Sequence, residues 1–320
     1  LPRLALVGRG FDSPRLHHLF KDVDWDAPQP TSFLSCPAVG IFLHYTVEPQ
    51  ADEVNCRSAM TRSISARREV ITVDIPRIFN ITESAHRIHN PVTPEKLAVL
   101  GSALRMEPGT RVLDLGSGSG EMLCTWARDH GITGTGVDMS SLFTGQAKLR
   151  ALELGVADRV RFIHGDAAGY VSDEKVGVAA CVGATWIGGG VAGTIDLLKR
   201  SLGAGGIILI GEPYWRQLPP SEEVARGCLA QSISDFLPLP GLIASFGRLG
   251  CDVVEMVLAD QDGWDRYEAA KWLTMRRWLE ANPGDELAET VRAELTSEPL
   301  RYAAYTREYL GWGVFALMPR

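Results

Sequence analysis

The residues best suited to chemistry lie in one short stretch, Asp114-Leu115-Gly116-Ser117-Gly118-Ser119-Gly120, preceded by the apolar run Val112-Leu113. Three glycines on alternate residues, between an apolar run and an amphipathic stretch, predict a strand, a tight turn and a helix N-terminus. Such a turn lets backbone N–H groups approach a nucleotide-like ligand closely. The spacing G-x-G-x-G is one residue tighter than the G-x-G-x-x-G of a dinucleotide-binding turn. Asp114 stands two residues before the first glycine, at the C-terminal end of the expected strand. A carboxylate there repels a pyrophosphate but suits an ammonium or sulfonium ion.

Other polar groups fall at equivalent places downstream. A second expected strand ends in Asp138-Met139, about one βαβ unit after the glycines. A carboxylate at that point can accept hydrogen bonds from both hydroxyls of a ribose. The third ends in His164-Gly165-Asp166-Ala167, where an acid can accept from the exocyclic amine of adenine. The fourth ends in Cys181-Val182-Gly183-Ala184-Thr185-Trp186, small residues that let the backbone edge a methionine chain and a reacting centre. Singly, each acid reads as a solvated loop residue or a helix cap. Three strand ends in succession fit one ligand, S-adenosylmethionine (SAM), which carries an ammonium, a sulfonium, a ribose and an adenine.

These residues need a scaffold, and hydrophobic periodicity supplies one. Thr93 and Pro94 form an N-cap and first helical position, followed by Leu97, Leu100 and Leu104 on one face. Strands are expected over 111–115, 133–138, 160–164, 176–182, 206–210, 252–258 and 312–318. Helices are expected over 119–130, 143–154, 191–202 and 242–249, the first, second and fourth followed closely by glycine. This alternation predicts an α/β protein with a Rossmann-like, seven-stranded, mostly parallel sheet and helices on both faces. Between the last two strands a stretch at about 261–310 exceeds what a hairpin needs and predicts a small helical cap over the site. Its first helix places Trp264, Tyr267 and Trp278 on one face and Ala269, Trp272, Leu273 and Leu279 elsewhere, a helix apolar on two faces. Tyr302, Tyr305 and Tyr309 recur at helical spacing, as a packed stripe does.

The 320-residue chain is 45% hydrophobic and 22% charged, ordinary values for a globular protein with a sizeable core. A formal net charge of -7 lacks the electrostatic footprint of a duplex-binding protein, so nucleic acid is not an expected partner. The six cysteines form no C-x-x-C pair, which argues against a zinc site and for reduced thiols in the cytoplasm. No apolar run approaches the ~18–20 residues that a membrane span needs. The first 70 residues lack sustained periodicity and are punctuated by proline, and the first methionine is Met60. Within them, Arg9 to His18 resembles in-frame translation of the 3′ end of a tRNA gene. Residues 1–70 are therefore expected to be a poorly structured extension, read as a translation artefact with the authentic start near Met60 or Val70, with a genuine extension as the alternative. Residues 71–320 are expected to form the SAM-binding domain. The adjacent His17 and His18 have no partner at ligand spacing and receive no role.

Taken together, the acid-plus-glycine turn, the two following strand-end acids and the turn Leu202-Gly203-Ala204-Gly205-Gly206 resemble the class I SAM-dependent methyltransferase family. More narrowly, the chain resembles uncharacterised bacterial methyltransferase-like proteins, one of them carried on an enterobacterial prophage-like element. That likeness rests on Pro76-Arg77-Ile78-Phe79, on residues 83–91 from Glu83 to Pro91, on Gly211-Glu212-Pro213-Tyr214-Trp215-Arg216, and on residues 264–272. The narrow group begins near residue 71. The resemblance implies SAM as cofactor, bound by Asp114, Gly116, Ser117, Gly118, Gly120, Asp138, Met139, Asp166, Ala167 and Cys181, but no particular acceptor.

Methyl transfer is an in-line displacement at an already activated carbon, so alignment and water exclusion are the protein's main tasks. A base is needed only for a weakly acidic acceptor. All seven histidines lie at or before His164, and His86 or His89 is the expected histidine base, with packing or capping as the alternative. Glu212 and Tyr214, with Trp215, follow the fifth strand, where the family places acceptor-facing groups. Trp186, Trp215, Trp264, Trp272 and Trp278 all belong to the expected cap or rim, which favours a small, partly apolar or aromatic acceptor. Four rivals stand against this reading. An amino-methylating nucleic-acid enzyme usually shows an Asp/Asn-Pro-Pro-aromatic motif where this chain has Gly183-Ala184-Thr185-Trp186. A nicotinamide oxidoreductase conflicts with Asp114 and the glycine spacing, and lipid cyclopropanation with the lack of a basic amphipathic helix. A SAM-binding regulator or degenerate homologue without catalysis remains the main alternative.

Overall fold

A computed structural model describes residues 74–320. The expected extension, 1–70, lies outside the described residues, as do His17 and His18.

Seven strands form one sheet in the order β3-β2-β1-β4-β5-β7-β6. They are β1 Arg111–Leu115, β2 Thr133–Asp138, β3 Val160–His164, β4 Val176–Val182, β5 Leu202–Trp215, β6 Cys251–Leu258 and β7 Leu310–Pro319. All neighbours run parallel except β7, which is antiparallel to both β5 and β6. The sheet is therefore mostly parallel, as the sequence predicts. Strand order reverses between β1 and β4, so the C-terminal ends of those two strands form the switch point at which open α/β sheets hold ligands.

The central strands are apolar on both sides because both faces are covered. One face of the sheet packs against α2 (Pro94–Ala103), α3 (Glu121–His130) and α4 (Ser141–Glu153), through Val112, Val178, Ala180 and Leu209 against Leu100, Leu123 and Ala147. The other packs on α5 (Val191–Ser201) and α7 (Leu239–Arg248), with the short α6 (Glu222–Gly227) between them in sequence, through Leu113, Ala179 and Ile208 against Ile195, Leu198 and Phe246. Helix starts follow from short polar side chains. Thr93 accepts from the N–H of Lys96, and Ser140 from that of Phe143.

Three local expectations need correction. The first helix after the turn begins at Glu121 and not at 119, because Gly120 is left-handed at φ 73° and serves as its N-cap. The fifth strand is not confined to 206–210. It begins at Leu202, which pairs with Val176, and the next paired residue is Ile207 opposite Val178, so the glycine-rich 203–206 bulges within the strand. The cap helix α8 (Gln261–Ala281) is not apolar on two faces. It buries a single stripe of Trp264, Tyr267, Glu268, Lys271, Met275 and Leu279, whereas Ala269 and Leu273 are exposed.

The helical region between β6 and β7 holds α8 and α9 (Ala288–Arg301), then a short helical turn through Tyr309. Tyr302 is buried there and packs edge-on to Trp272. A helix that sequence periodicity missed, α1 (Arg77–Glu83), joins this layer. Its Ile78 and Ile81 form a separate small core with Met275, Leu279 and Val291.

Candidate functional site

The turn after β1 is built by backbone that only glycine adopts without strain. Gly116, Gly118 and Gly120 all have positive φ, at 78°, 53° and 73°. Space is equally limiting. A Cβ on Gly116 would meet Ala184, one on Gly118 would meet the His89 ring at 2.5 Å, and one on Gly120 would meet Phe162 and Ala147. The turn is thus clasped by the segment after β4, by the segment before α2, and by β3 with α4. Gly116 and Ser117 donate their N–H groups to the carbonyl of Val137 on β2.

Asp114 is buried, and its Oδ1 has no hydrogen-bond partner among the described residues. Burial, reinforced by the nearby charge of Asp138, pushes its carboxyl up to about 7. An uncompensated buried acid at the head of a glycine turn fits a ligand cation. Asp138 accepts at both oxygens: Gly118 N donates to Oδ2 at 2.7 Å and Ser140 N to Oδ1 at 2.8 Å. Burial raises its pKa, and those two backbone bonds oppose the rise. Each carboxylate oxygen has a second lone pair, so the pair can still take two ribose hydroxyls.

The remaining expected cofactor residues take distinct places. The Met139 carbonyl accepts from His164 Nε2 at 3.0 Å, which ties the ends of β2 and β3 together. Asp166 is exposed, and its Oδ1 accepts from Ala168 N at 2.8 Å, while Ala167 is buried in the core. Cys181 is fully buried, and burial pushes its thiol far above the ordinary range.

The expected catalytic residues do not converge on one point. His89 lies on the turn itself: its Nε2 is 2.8 Å from Ser119 Oγ, which donates to Gln146, and its ring stacks on Phe143 with centroids 4.1 Å apart. Tyr214 is buried against Gly311 of β7, and burial raises its hydroxyl. Glu212 sits elsewhere, beyond the end of β4, where it accepts from Thr185 Oγ1 at 2.8 Å. Burial pushes its carboxyl up to about 7. It opens on a cavity of about 340 Å³, which Tyr214 does not line. Phe236, Leu237 and Leu242 make apolar walls, and Val191 contributes from the start of α5. Trp215 instead donates from its indole to the carbonyl of Ile233 and serves the core.

Sequence reasoning offered His86 as a base but missed the cluster that engages both of its ring nitrogens. Glu83, at the end of α1, is almost wholly buried, with Tyr267 Oη donating to its Oε2 at 3.0 Å. His86 Nδ1 lies 3.1 Å from the same oxygen, and Lys271 Nζ lies 3.8 Å from Oε1 and 2.7 Å from Glu268. His86 Nε2 donates to the Tyr267 carbonyl at 3.0 Å. This cluster fastens the segment carrying His89 to α8. Its one sequence signal was three titratable residues, Glu83, His86 and His89, at helical spacing before a proline.

A parallel sheet with this strand order, and a glycine turn flanked by acids at its switch point, define a nucleotide-cofactor site of the methyltransferase type. Residues 112–206 match a family model described as a methyltransferase domain. Over 248 residues the chain is 73% identical to the uncharacterized protein YjhP of Escherichia coli strain K12, covering 78% of this chain and all of that one. Two solved structures are similar throughout the same region. A SAM-dependent methyltransferase from Geobacter sulfurreducens is 86% identical at a TM-score of 0.77, covering 77% of this chain and 99% of that one. One from Thiobacillus denitrificans is 78% identical at a TM-score of 0.77, covering 78% and 100%. Both were solved in complex with S-adenosyl-L-homocysteine (SAH). The chain belongs to the SAM-dependent methyltransferase family, whose cofactor is SAM. The orphaned Asp114 oxygen and the glycine turn fit that cofactor.

Proposed function

We propose that the protein transfers a methyl group from SAM to a small, partly apolar or aromatic acceptor by in-line displacement. The observation that carries this reading is the cavity of about 340 Å³ beside Glu212. Its size lies at the lower end of the ~300–1,000 Å³ usual for small-molecule sites. It adjoins the cofactor turn: Glu212 is bonded to Thr185, the residue after the Ala184 that packs on Gly116.

Roles follow for this chain's own residues. SAM supplies the activated methyl carbon when bound. Asp114 faces its cationic end, Asp138 holds the ribose, and the backbone of Gly116, Ser117, Gly118 and Gly120 shapes the turn around it. Met139, Asp166, Ala167 and Cys181 edge the adenine and methionine portions. His89 acts as a wall of the cofactor site, since its ring nitrogen is engaged with Ser119. Glu212 is the acceptor-side group able to hold a proton, and Tyr214 supports the strand beneath it. The four described cysteines are buried free thiols, which supports a cytoplasmic setting. No helix among the described residues is long and apolar enough to cross a membrane.

The test is a metabolite extract incubated with methyl-labelled SAM and the protein. A labelled product of low mass is expected. Label entering only protein or nucleic acid would refute the small acceptor, and label entering nothing while SAM binds would favour a regulator.

A further inference from the structure

Glu212 is a carboxylate that no cation of the described residues pairs with. Among the described residues it forms no ion pair, and its one hydrogen bond comes from a neutral hydroxyl, Thr185 Oγ1. A carboxylate offers about four acceptor positions, so most of its capacity is unspent. Leaving such a group uncompensated in a crowded, largely apolar setting costs free energy that an incoming positive charge recovers.

The cavity that Glu212 faces states what shape that charge must have. Val191, Phe236, Leu242 and Leu249 make it apolar over most of its wall. Two other charged residues line it. Asp235 is exposed and accepts three hydrogen bonds, from Gln231 N and Ser232 N at Oδ2 and from Ser232 Oγ at Oδ1. Arg248 is exposed, at the end of α7. Ser245 spends its hydroxyl proton on the Leu242 carbonyl, and Asp235 and Arg248 are exposed, so the carboxylate that is screened from solvent and engaged by a single hydrogen bond in this space is that of Glu212.

We infer that the methyl acceptor is a compact primary or secondary amine, bound as its ammonium with the nitrogen on Glu212 and its apolar body between α5 and α7. This rests on the reading of the protein as a small-molecule methyltransferase. The proton balance closes without a further reactant. The ammonium gives one proton to the Glu212 carboxylate, an N–H bond breaking as an O–H bond forms. The freed nitrogen lone pair then forms the C–N bond as the C–S bond breaks, the bonding pair staying on sulfur. The product leaves as a methylated ammonium, and Glu212 returns its proton to solvent.

Two probes of equal shape test this on the full chain saturated with SAH: benzylamine, which is cationic, and benzyl alcohol, which is neutral. By calorimetry at about pH 8, where the carboxylate is ionised, benzylamine should bind at least ~10-fold more tightly. Glu212→Gln keeps a partner for Thr185 and should abolish that preference. Ala192→Tyr fills the cavity from an exposed helical position and should weaken benzylamine binding. SAH titration and circular dichroism establish that each variant is folded. Equal binding of the probes, binding of neither, or a preference that survives Glu212→Gln overturns the inference. If the unaltered protein fails to bind SAH, the cofactor reading falls instead, so the two failures are distinguishable.

Discussion

Asp114 is buried beside Asp138, and both charges cannot be held there at no cost. With its carboxyl pushed up to about 7, the ligand-free protein holds a proton on Asp114 for part of the time at neutral pH. A cationic ligand favours the ionised form, so it lowers that pKa and expels the proton. SAM binding is therefore expected to release protons over about pH 6–8 and to weaken as pH falls below that range. Calorimetry in buffers of different ionisation enthalpy reads this directly. Asp114→Asn should remove the proton release, and constant proton count across the range would refute the assignment. Asp138→Asn should move the release to lower pH, because Asp138 is one of the two causes of the rise. Asp138→Ala should weaken SAM binding by tenfold or more, about 1.4 kcal/mol.

At the scale of elements, the informative unit is the buried stripe of α8. Burial alone would raise the Glu83 carboxyl, but Lys271, together with His86 and His89, overcomes it and holds the group far below the ordinary carboxylate range. A depressed folded-state pKa contributes stability that is present above the unfolded value and lost as pH falls through the folded one. Lys271→Met leaves Glu83 and Glu268 buried without their cation, a loss of about 3–5 kcal/mol in urea unfolding at neutral pH. Arg276→Met, which removes an exposed pair with Glu280, should cost less than about 1 kcal/mol. Equal stabilities for the two variants would remove the cluster's structural role. This stripe also shows where sequence reasoning stops. Strands such as β1 and β4 were legible because both faces are apolar, and α2 because Thr93 and Pro94 mark its start. A periodicity argument counts Glu268 and Lys271 as solvent-facing, so the buried face of α8 was misread. In the same way Trp272 and Leu273 suggested a second apolar face that the fold does not bury completely. The strand-end acids were legible because a fixed strand-to-loop offset sets their place. Helix α1 was not, since its seven residues carry only Ile78, Phe79 and Ile81, too short a run to show a helical period before the chain turns.

Across the whole molecule, the cofactor turn and the cap are joined by a short path through residues distant in sequence. His89 presses on Gly118 and bonds Ser119, His86 and His89 flank Glu83, and Glu83 takes the hydroxyl of Tyr267 on α8. A ligand that stabilises the turn must then stabilise the cap, unless the two open independently. At a concentration ~100 times its dissociation constant, SAH adds about 2.7 kcal/mol to the folded state. Amide hydrogen exchange should therefore slow on SAH addition both at residues 114–120 and along 264–271 of α8. Glu83→Gln, which removes the charge that gathers His86, His89 and Lys271, should keep protection at the turn and lose most of it in α8. Slowing confined to 114–120 in the unaltered protein would mean that the cap opens independently of the cofactor. Slowing in both regions that persists in Glu83→Gln would place the coupling in the sheet instead, through the β1–β4 contact that carries Ala184 against Gly116.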